Sequence, residues 1–258
     1  MPEQPPGWSP GHEAGRAESL TPVAPRPLRR TLFRQSWRDV VFLHWEADPS
    51  EVARLLPPGT HPDFFDGRTY VGLVFFTMRD LALGRTPALP YLGTFTEVNV
   101  RLYSRDGRGR RGVVFRSLDC DRLLPVLAAR AAFGLPYRWS YAARQRHDSR
   151  LVYRSRVRGR DGPTGHVWID VADEAMSPRP LDAFLTSRWG LHESLRGRAY
   201  YLPNAHPRWT FRRCDLLGWD ASVVAAAGLT EPVSEPVSVL YAPEVPVRFG
   251  PPVRLPAA

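Results

Sequence analysis

Hydrophobic and polar positions alternate along much of the chain, and this pattern predicts a fold built mainly from β-strands. Residues 95–103 and 113–119 are rich in β-branched and aromatic side chains, and a polar loop with Gly107, Gly109 and Gly112 joins them. An Asp-Gly pair at 66–67 predicts a tight turn. Similar patterns predict further strands over residues 70–78, 138–146, 151–160, 166–171 and 238–249.

Four other segments predict helices. The sequence from Asp48 to Glu51 combines an N-cap, a proline at the first helical position and a capping-box glutamate, so a short helix is predicted through Leu56. Apolar residues near a 3.6-residue spacing predict helices over 121–133, 181–195 and 221–227. Many strands joined by turns, with a few interspersed helices, favour the α+β class and an antiparallel β-barrel or cone.

The two ends of the chain predict one domain with two tails. Residues 1–30 contain seven prolines and few large apolar side chains, so a disordered tail is predicted there. The single domain is predicted over residues 31–250, followed by a second proline-rich tail over 251–258. No segment resembles a signal peptide, and no run approaches the roughly 18 apolar residues of a membrane helix. We therefore expect a soluble, cytoplasmic protein without a membrane partner.

Composition excludes several kinds of chemistry. All 35 basic residues are arginine, and the absence of lysine excludes Schiff bases on a side-chain amine, lysine-anchored pyridoxal phosphate and the P-loop lysine. Cys120 and Cys214 are too few for a disulfide framework. The seven histidines never show metal-binding spacing, so we expect neither a metal nor another cofactor. The net charge of +9 fits an anionic partner, but a genome rich in G and C also favours arginine codons.

One predicted strand carries a polar face. The period of two places Glu97, Asn99 and Arg101 on one side and Val98 and Val100 on the other. If that face lines a closed cavity, the carboxylate and the guanidinium should pair, and the amide offers a donor and an acceptor to a ligand. A solvated sheet face is the alternative.

Two weaker candidates lie on other strands. Ser117 and Asp119 share a predicted face with Phe115, but no Gly-x-Ser-x-Gly elbow surrounds any serine, so a serine hydrolase is not predicted. His44 ends an apolar run, where it binds a ligand or serves as a hydrogen-bonded structural residue.

A row of arginines poses a separate question. Arg154, Arg156, Arg158 and Arg160 lie on one side of a predicted strand, which suits contact with phosphate or nucleic acid. The strand lacks interleaved aromatic side chains, so a solvated edge strand that discourages aggregation is the favoured interpretation. Nucleic acid is therefore not the expected partner.

An ordered series of short motifs resembles the YqjF-like family, from about Trp37 to Phe249. Each motif is weak alone, whereas their order and spacing together are specific. The motifs are Phe-Leu-His-Trp at 42–45, Leu-Pro-Pro-Gly at 56–59, Phe-Asp-Gly-Arg at 65–68, Phe-Thr-Glu-Val-Asn-Val-Arg at 95–101, Ser-Leu-Asp at 117–119 and Gly-Leu-Pro-Tyr at 134–137.

That family is in turn similar to acetoacetate decarboxylase, which implies a cone-shaped barrel around a buried pocket. In that enzyme a glutamate lies on the strand matched here by Glu97, and a Gly-aromatic-Pro-Lys-Lys loop carries the Schiff-base lysine. Here Tyr137 replaces that lysine and Arg138 replaces its neighbour. These two replacements exclude decarboxylation through an imine. The resemblance still implies a pocket for a small carbonyl- or carboxylate-bearing molecule, with Arg101 or Arg138 as its anion partner.

These observations give one hypothesis and two alternatives. The protein binds a small organic ligand in the barrel interior; as an enzyme it would be a lyase, isomerase or cyclase without a Schiff-base lysine. The catalytic candidates are Glu97 as general acid or base, Tyr137 as proton donor or oxyanion stabiliser, and Arg101 as an orienting group. The candidate ligand-binding residues are Asn99, Ser117, Asp119, Arg138 and His44. A non-catalytic small-molecule-binding protein and a nucleic-acid-binding protein using residues 154–160 are the alternatives. Turnover, ligand identity and assembly into a homo-oligomer remain open.

Overall fold

The structure is a computed structural model that describes residues 16–90, 93–123 and 134–256. Within them the strands are β1 (Phe33–Ala47), β2 (Thr60–Pro62), β3 (Thr69–Leu83), β4 (Phe95–Asp106), β5 (Arg111–Cys120), β6 (Tyr137–His147), β7 (Arg150–Val157), β8 (Thr164–Met176), β9 (Gly190–Leu195), β10 (Arg198–Ala205), β11 (Phe211–Asp220), β12 (Ser238–Phe249) and β13 (Val253–Arg254). The helices are α1 (Pro49–Leu55), α2 (Pro180–Thr186) and α3 (Ser222–Ala225). No helix of the described part is long and apolar enough to cross a membrane.

Nine strands close into a β-barrel in the order β5, β6, β7, β8, β11, β12, β1, β3 and β4, with β4 returning to β5. The predicted barrel is therefore confirmed. Most pairs are antiparallel, but β5 runs parallel to β6 and to β9, so the sheet is mixed. Residues 121–136 connect β5 to β6 and are long enough for the crossover that a parallel pair requires.

Additional pairings make a second, smaller closed circuit on the other side of the shared strands. β9 joins β5 to β10, and β10 joins β12. Strand β4 is consequently buried on both faces. Val98, Val100 and Leu102 enter a large apolar cluster with β1, β3, β7 and β8, whereas Tyr103 packs against Phe184 of α2 on the opposite side.

The structure confirms two predictions made from short sequence motifs, the N-cap of α1 and the turn at residues 66–67. The Asp48 carboxylate accepts hydrogen bonds from the backbone N–H groups of Ser50 at 2.7 Å and Glu51 at 3.1 Å, which confirms the N-cap of α1. The Glu51 side chain, however, accepts from Thr230, so the predicted capping box does not form. The turn at 66–67 is confirmed, with positive φ angles at both residues and a bridge between Phe65 and Arg68.

The helix predicted over 181–195 is wrong beyond Thr186, because residues 190–195 form β9. A Cβ on Gly190 would lie 2.3 Å from the ring of Tyr201, so this close strand pairing requires glycine. Pairing with β10 thus overrides a helical pattern in the local sequence. From residue 124 onward the helix predicted over 121–133 lies outside the described residues.

Both predicted tails make contacts with the domain. The backbone N–H of Glu18 donates to the Gly109 carbonyl at 2.9 Å, and the Arg111 guanidinium donates to the Glu18 carbonyl at 2.8 Å. At the other end β13 pairs with β10, and Leu255 is buried. Polar contacts thus join part of residues 16–30 to the domain, although this segment has no periodic apolar face. Residues 1–15 of that tail lie outside the described residues.

Candidate active site

The polar face of β4 is buried. Glu97, Asn99 and Arg101 are 2%, 3% and 7% exposed, so the interpretation as a solvated sheet face is wrong. Their side chains point away from the large apolar cluster that contains Val98 and Val100. Buried polar and charged groups need partners, and the partners of these three residues differ.

Glu97 is held by two neutral hydrogen-bond donors. The Tyr137 hydroxyl donates to Oε2 at 2.9 Å, and the Asn99 amide donates to Oε1 at 3.4 Å. Burial raises the pKa of Glu97 to about 7; the Asp119 charge adds to this rise, and the two hydrogen bonds oppose it. Near neutral pH this carboxyl group can therefore both release and take up a proton.

Tyr137 reaches Glu97 because the chain turns sharply before β6. Gly134 adopts a φ of +67°, which glycine tolerates best, and the Leu118 N–H donates to the Pro136 carbonyl at 3.1 Å. Burial and the adjacent Glu97 carboxylate raise the pKa of Tyr137 well above its usual value. The phenol therefore keeps its proton and acts as a donor.

Arg101 does not pair with Glu97, so the predicted ion pair is wrong. Its Nε donates to the Tyr103 hydroxyl and its Nη2 to the Leu185 carbonyl, each at 3.1 Å, and the guanidinium lies 5.1 Å from the Phe42 ring centre. The Cα atoms of the two residues are four positions apart, or about 13 Å along the strand, and each side chain is held by its own partners. No carboxylate among the described residues forms an ion pair with Arg101.

Neutral rings surround this guanidinium. His44 is fully buried, and neither ring nitrogen has a hydrogen bond of normal geometry among the described residues. Burial and the Arg101 charge lower the pKa of His44 well below its usual value, against a weaker opposing effect of the Ser238 backbone. Burial and Arg101 also lower the pKa of His206 to about 4. Both imidazoles are therefore neutral at pH 7.

Sequence reasoning missed His206 and Trp209 as members of this site. The Trp209 ring packs edge-on against Phe42 at 5.2 Å and lies 4.9 Å from the His206 ring. Both residues come from the connection between β10 and β11. The sequence His-Pro-Arg-Trp at 206–209 was the available signal, but it does not indicate which strand the connection crosses.

Gly72 on β3 leaves room for the side chains around Arg101. A Cβ at this position would lie 2.8 Å from the Tyr103 hydroxyl, 3.2 Å from the His44 ring and 3.3 Å from Arg101 Cγ. Tyr103, His44 and Arg101 therefore all contact the space beside Gly72, which pairs with Arg101 of β4.

Ser117, Asp119 and Arg138 lie on the other side of the sheet. A bulge at Arg116 of β5 shifts the pairing with β4, so Phe115 pairs with Arg101 whereas Ser117 pairs with Val100 and Asp119 with Val98. Ser117 and Asp119 therefore share the face of Val98 and Val100. Their predicted shared face with Phe115 is therefore wrong. Arg138 donates to both Asp119 oxygens, at 2.6 and 2.9 Å, and this bidentate pair already satisfies its charge.

The described residues include no group of three or more His, Cys, Asp or Glu side chains arranged to hold a metal ion. The side chains around Glu97 and Arg101 are a carboxyl group, a guanidinium, neutral donors and aromatic rings, and the buried Arg188 guanidinium lies 4.9 Å from the Tyr103 ring centre.

Comparisons with known proteins agree with this fold. The model of the DUF2071 family, described as "Uncharacterized conserved protein (COG2071)", matches residues 34–246. The chain is 29% identical over 222 residues to the uncharacterized protein YqjF of Bacillus subtilis, covering 85% of this chain and 91% of that protein.

Solved structures of acetoacetate decarboxylase-like proteins share the fold. The enduracididine biosynthesis enzyme MppR complexed with pyruvate superimposes with a TM-score of 0.61 at 16% identity, over 90% of this chain and 93% of that one. An acetoacetate decarboxylase-like enzyme from Sphingomonas wittichii gives 0.60 at 16% identity, over 95% and 100%. At this identity the likeness extends to the fold alone.

Proposed function

The chain belongs to the DUF2071 family, and we propose that it binds a small carbonyl- or carboxylate-bearing molecule beside Glu97 and moves a proton on it without a Schiff base. Solved structures with this fold include the enduracididine biosynthesis enzyme MppR complexed with pyruvate and an acetoacetate decarboxylase-like enzyme. The observation that carries the proposal is the buried Glu97 carboxyl group, with a pKa raised to about 7 and a phenol donor at 2.9 Å.

The proposed step is proton abstraction next to a carbonyl group. Ionised Glu97 takes a proton from the adjacent carbon, and the electron pair of that C–H bond forms the C=C bond of an enolate whose oxygen carries the charge. Protonated Glu97 accepts the Tyr137 hydrogen bond more weakly, which frees the phenol to donate to the enolate oxygen. Return of a proton to the same carbon restores the carbonyl compound, so the step exchanges that hydrogen with no net gain or loss of electrons.

Arg101 is the anion partner that this proposal favours. Arg138 is already paired with Asp119, whereas Arg101 has no carboxylate partner in the described chain. An unpaired buried charge is costly, and a ligand carboxylate would supply the missing counter-charge. Asn99 lies between the two charged residues on the same face, where its Oδ1 is buried without a hydrogen bond from a described residue.

Deuterium exchange into pyruvate tests the proposal directly. The protein is incubated with pyruvate in D₂O near pH 7, and loss of the methyl signal is followed by proton NMR. The wild type should exchange faster than buffer, and Glu97→Gln should reduce the rate to the buffer background. Glu193→Gln is the matched control, because burial also raises the pKa of this carboxyl group, to about 8, but it lies on β9.

A parallel titration distinguishes binding from turnover. If pyruvate raises the melting temperature of the wild type but not of Arg101→Gln, while no exchange occurs, the same site belongs to a non-catalytic binding protein. Exchange that persists unchanged in Glu97→Gln would contradict the assignment of the base.

A further inference from the structure

The arginine side of β7 lies in an open groove on the outer face of the barrel. Strand β7 pairs with β6 on one side and β8 on the other, so the predicted edge strand is wrong. The groove has a volume of about 510 Å³. Its principal polar and aromatic lining comes from Tyr141, Arg154, Arg156, Arg158, Thr164 and His166.

The neighbouring strand supplies the aromatic side chains that β7 itself lacks. Tyr141 lies directly opposite Arg156 across the β6–β7 pair. The Arg158 guanidinium stacks 3.8 Å from the ring centres of both Trp139 and Tyr141. Tyr141 lines the groove and is 52% exposed, so its ring remains accessible there, and Trp139 beside it is 39% exposed. Arg156 and Arg158 therefore lie beside aromatic rings of β6, which the order of residues along β7 alone could not reveal.

The described residues offset only part of the positive charge of this groove. Arg154 and Arg156 are exposed and form no ion pair with any of them, and Arg158 Nε is buried without a hydrogen-bond partner there. Asp121 is the one carboxylate in the lining. Arg144 and Arg146 of the same hairpin, in contrast, both pair with Asp39. Unpaired arginines beside exposed rings suit a ligand that carries both anionic groups and flat rings.

We propose that this groove binds a single-stranded nucleic acid. Arg154 and Arg156 contact successive phosphates, and a base stacks on the accessible part of the Tyr141 ring. Unstacked bases can reach an aromatic ring on a sheet, whereas the bases of a duplex stay stacked on each other. This site is separate from the residues around Glu97 and Arg101, and it does not depend on the function proposed for them.

Fluorescence anisotropy with a labelled oligouridylate tests the proposal. Affinity is measured over a range of salt concentrations for the wild type and for the double variant Arg154→Gln/Arg156→Gln. Because each phosphate contact on a single strand adds about 0.7 to the slope of log affinity against log salt, the double variant should lower the magnitude of that slope by roughly 1.4. Tyr141→Ala should weaken binding about 5- to 150-fold and leave the slope unchanged.

Matched controls distinguish binding in the groove from attraction by the net charge of the protein. The double variant Arg198→Gln/Arg248→Gln removes the same charge from exposed positions on β10 and β12, and it should leave the slope within experimental error of the wild type. Circular dichroism melting verifies that every variant is folded. Equal losses in both double variants would overturn the proposal, because binding would then follow net charge alone. Inorganic polyphosphate or duplex DNA binding as tightly as oligouridylate would also overturn it, since base stacking would contribute nothing.

Discussion

Glu97 and Arg101 lie on one face of β4 and accommodate burial in different ways. A carboxyl group can take up a proton, so burial raises the pKa of Glu97 to about 7 and part of the population is neutral. A guanidinium cannot release its proton at any ordinary pH. Arg101 therefore keeps its charge among the Tyr103 hydroxyl, the Leu185 carbonyl and the Phe42 ring. One residue is suited to exchanging a proton, and the other to holding an anion.

The raised pKa of Glu97 predicts a pH-dependent cost in stability. The native state binds this proton more tightly than the unfolded chain, where the pKa is about 4.5. Its ionisation therefore disfavours folding progressively as pH rises from about 4.5 to 7, by about 3 kcal/mol at most. Relative to Glu97→Gln, the wild type should lose stability over that interval in urea unfolding at pH 5 and pH 8. The control Glu231→Gln replaces an exposed carboxyl group, and its unfolding free energy should change between pH 5 and pH 8 as that of the wild type does. If the unfolding free energies of Glu97→Gln and the wild type changed equally between these pH values, a raised pKa of Glu97 would be excluded.

At the scale of single elements, the sequence predicts correctly which face of the sheet each side chain occupies where a strand is regular. The period of two places Glu97, Asn99 and Arg101 together, and all three are buried on one side of β4. The same rule fails on β5, because the bulge near Arg116 puts Phe115 and Ser117 on opposite faces. The approach of Tyr137 to Glu97 was implied by the family resemblance. The approach of His206 and Trp209 depends on where the five-residue connection 206–210 between β10 and β11 packs against β1, which local patterns do not predict.

Gly72 provides the test at this scale. Gly72→Ala would bring a methyl group to within 2.8 Å of the Tyr103 hydroxyl and 3.3 Å of Arg101 Cγ, so these side chains must move. We expect a loss of about 1–3 kcal/mol in unfolding free energy, as is usual for overpacking, together with weaker pyruvate binding. Gly107→Ala is the control, because no heavy atom lies within 4 Å of its added methyl group. Equal stability of the two variants would show that the packing around Gly72 is loose.

At the scale of the whole molecule, burial of the site depends on two closed circuits that share β1, β3, β4, β5 and β12. The nine-strand barrel covers one face of β4, and the circuit through β9 and β10 lies on the side of the other. A scaffold seen in acetoacetate decarboxylase-like structures is thereby combined with a sequence that has no lysine. The absence of lysine excludes a Schiff base on a side-chain amine in this scaffold.

The missing lysine predicts the outcome of reductive trapping. Acetoacetate or pyruvate mixed with the protein and borohydride should leave no covalent adduct at any internal residue, because neither a phenol nor a guanidinium forms a reducible imine. Intact-mass spectrometry followed by peptide mapping detects such an adduct. A stoichiometric adduct on the chain's terminal amine would place that amine in the site and require a different mechanism.

The most direct measurement is the titration of Glu97 itself in the intact protein. Glutamate labelled with ¹³C at the side-chain carboxyl is incorporated, and the Glu97 resonance is assigned by its absence in Glu97→Gln. The predicted result is an apparent pKa of about 7, which should rise further in Tyr137→Phe because the phenol donor stabilises the carboxylate. A Glu97 resonance that titrates near 4.5 and does not respond to Tyr137→Phe would contradict the account.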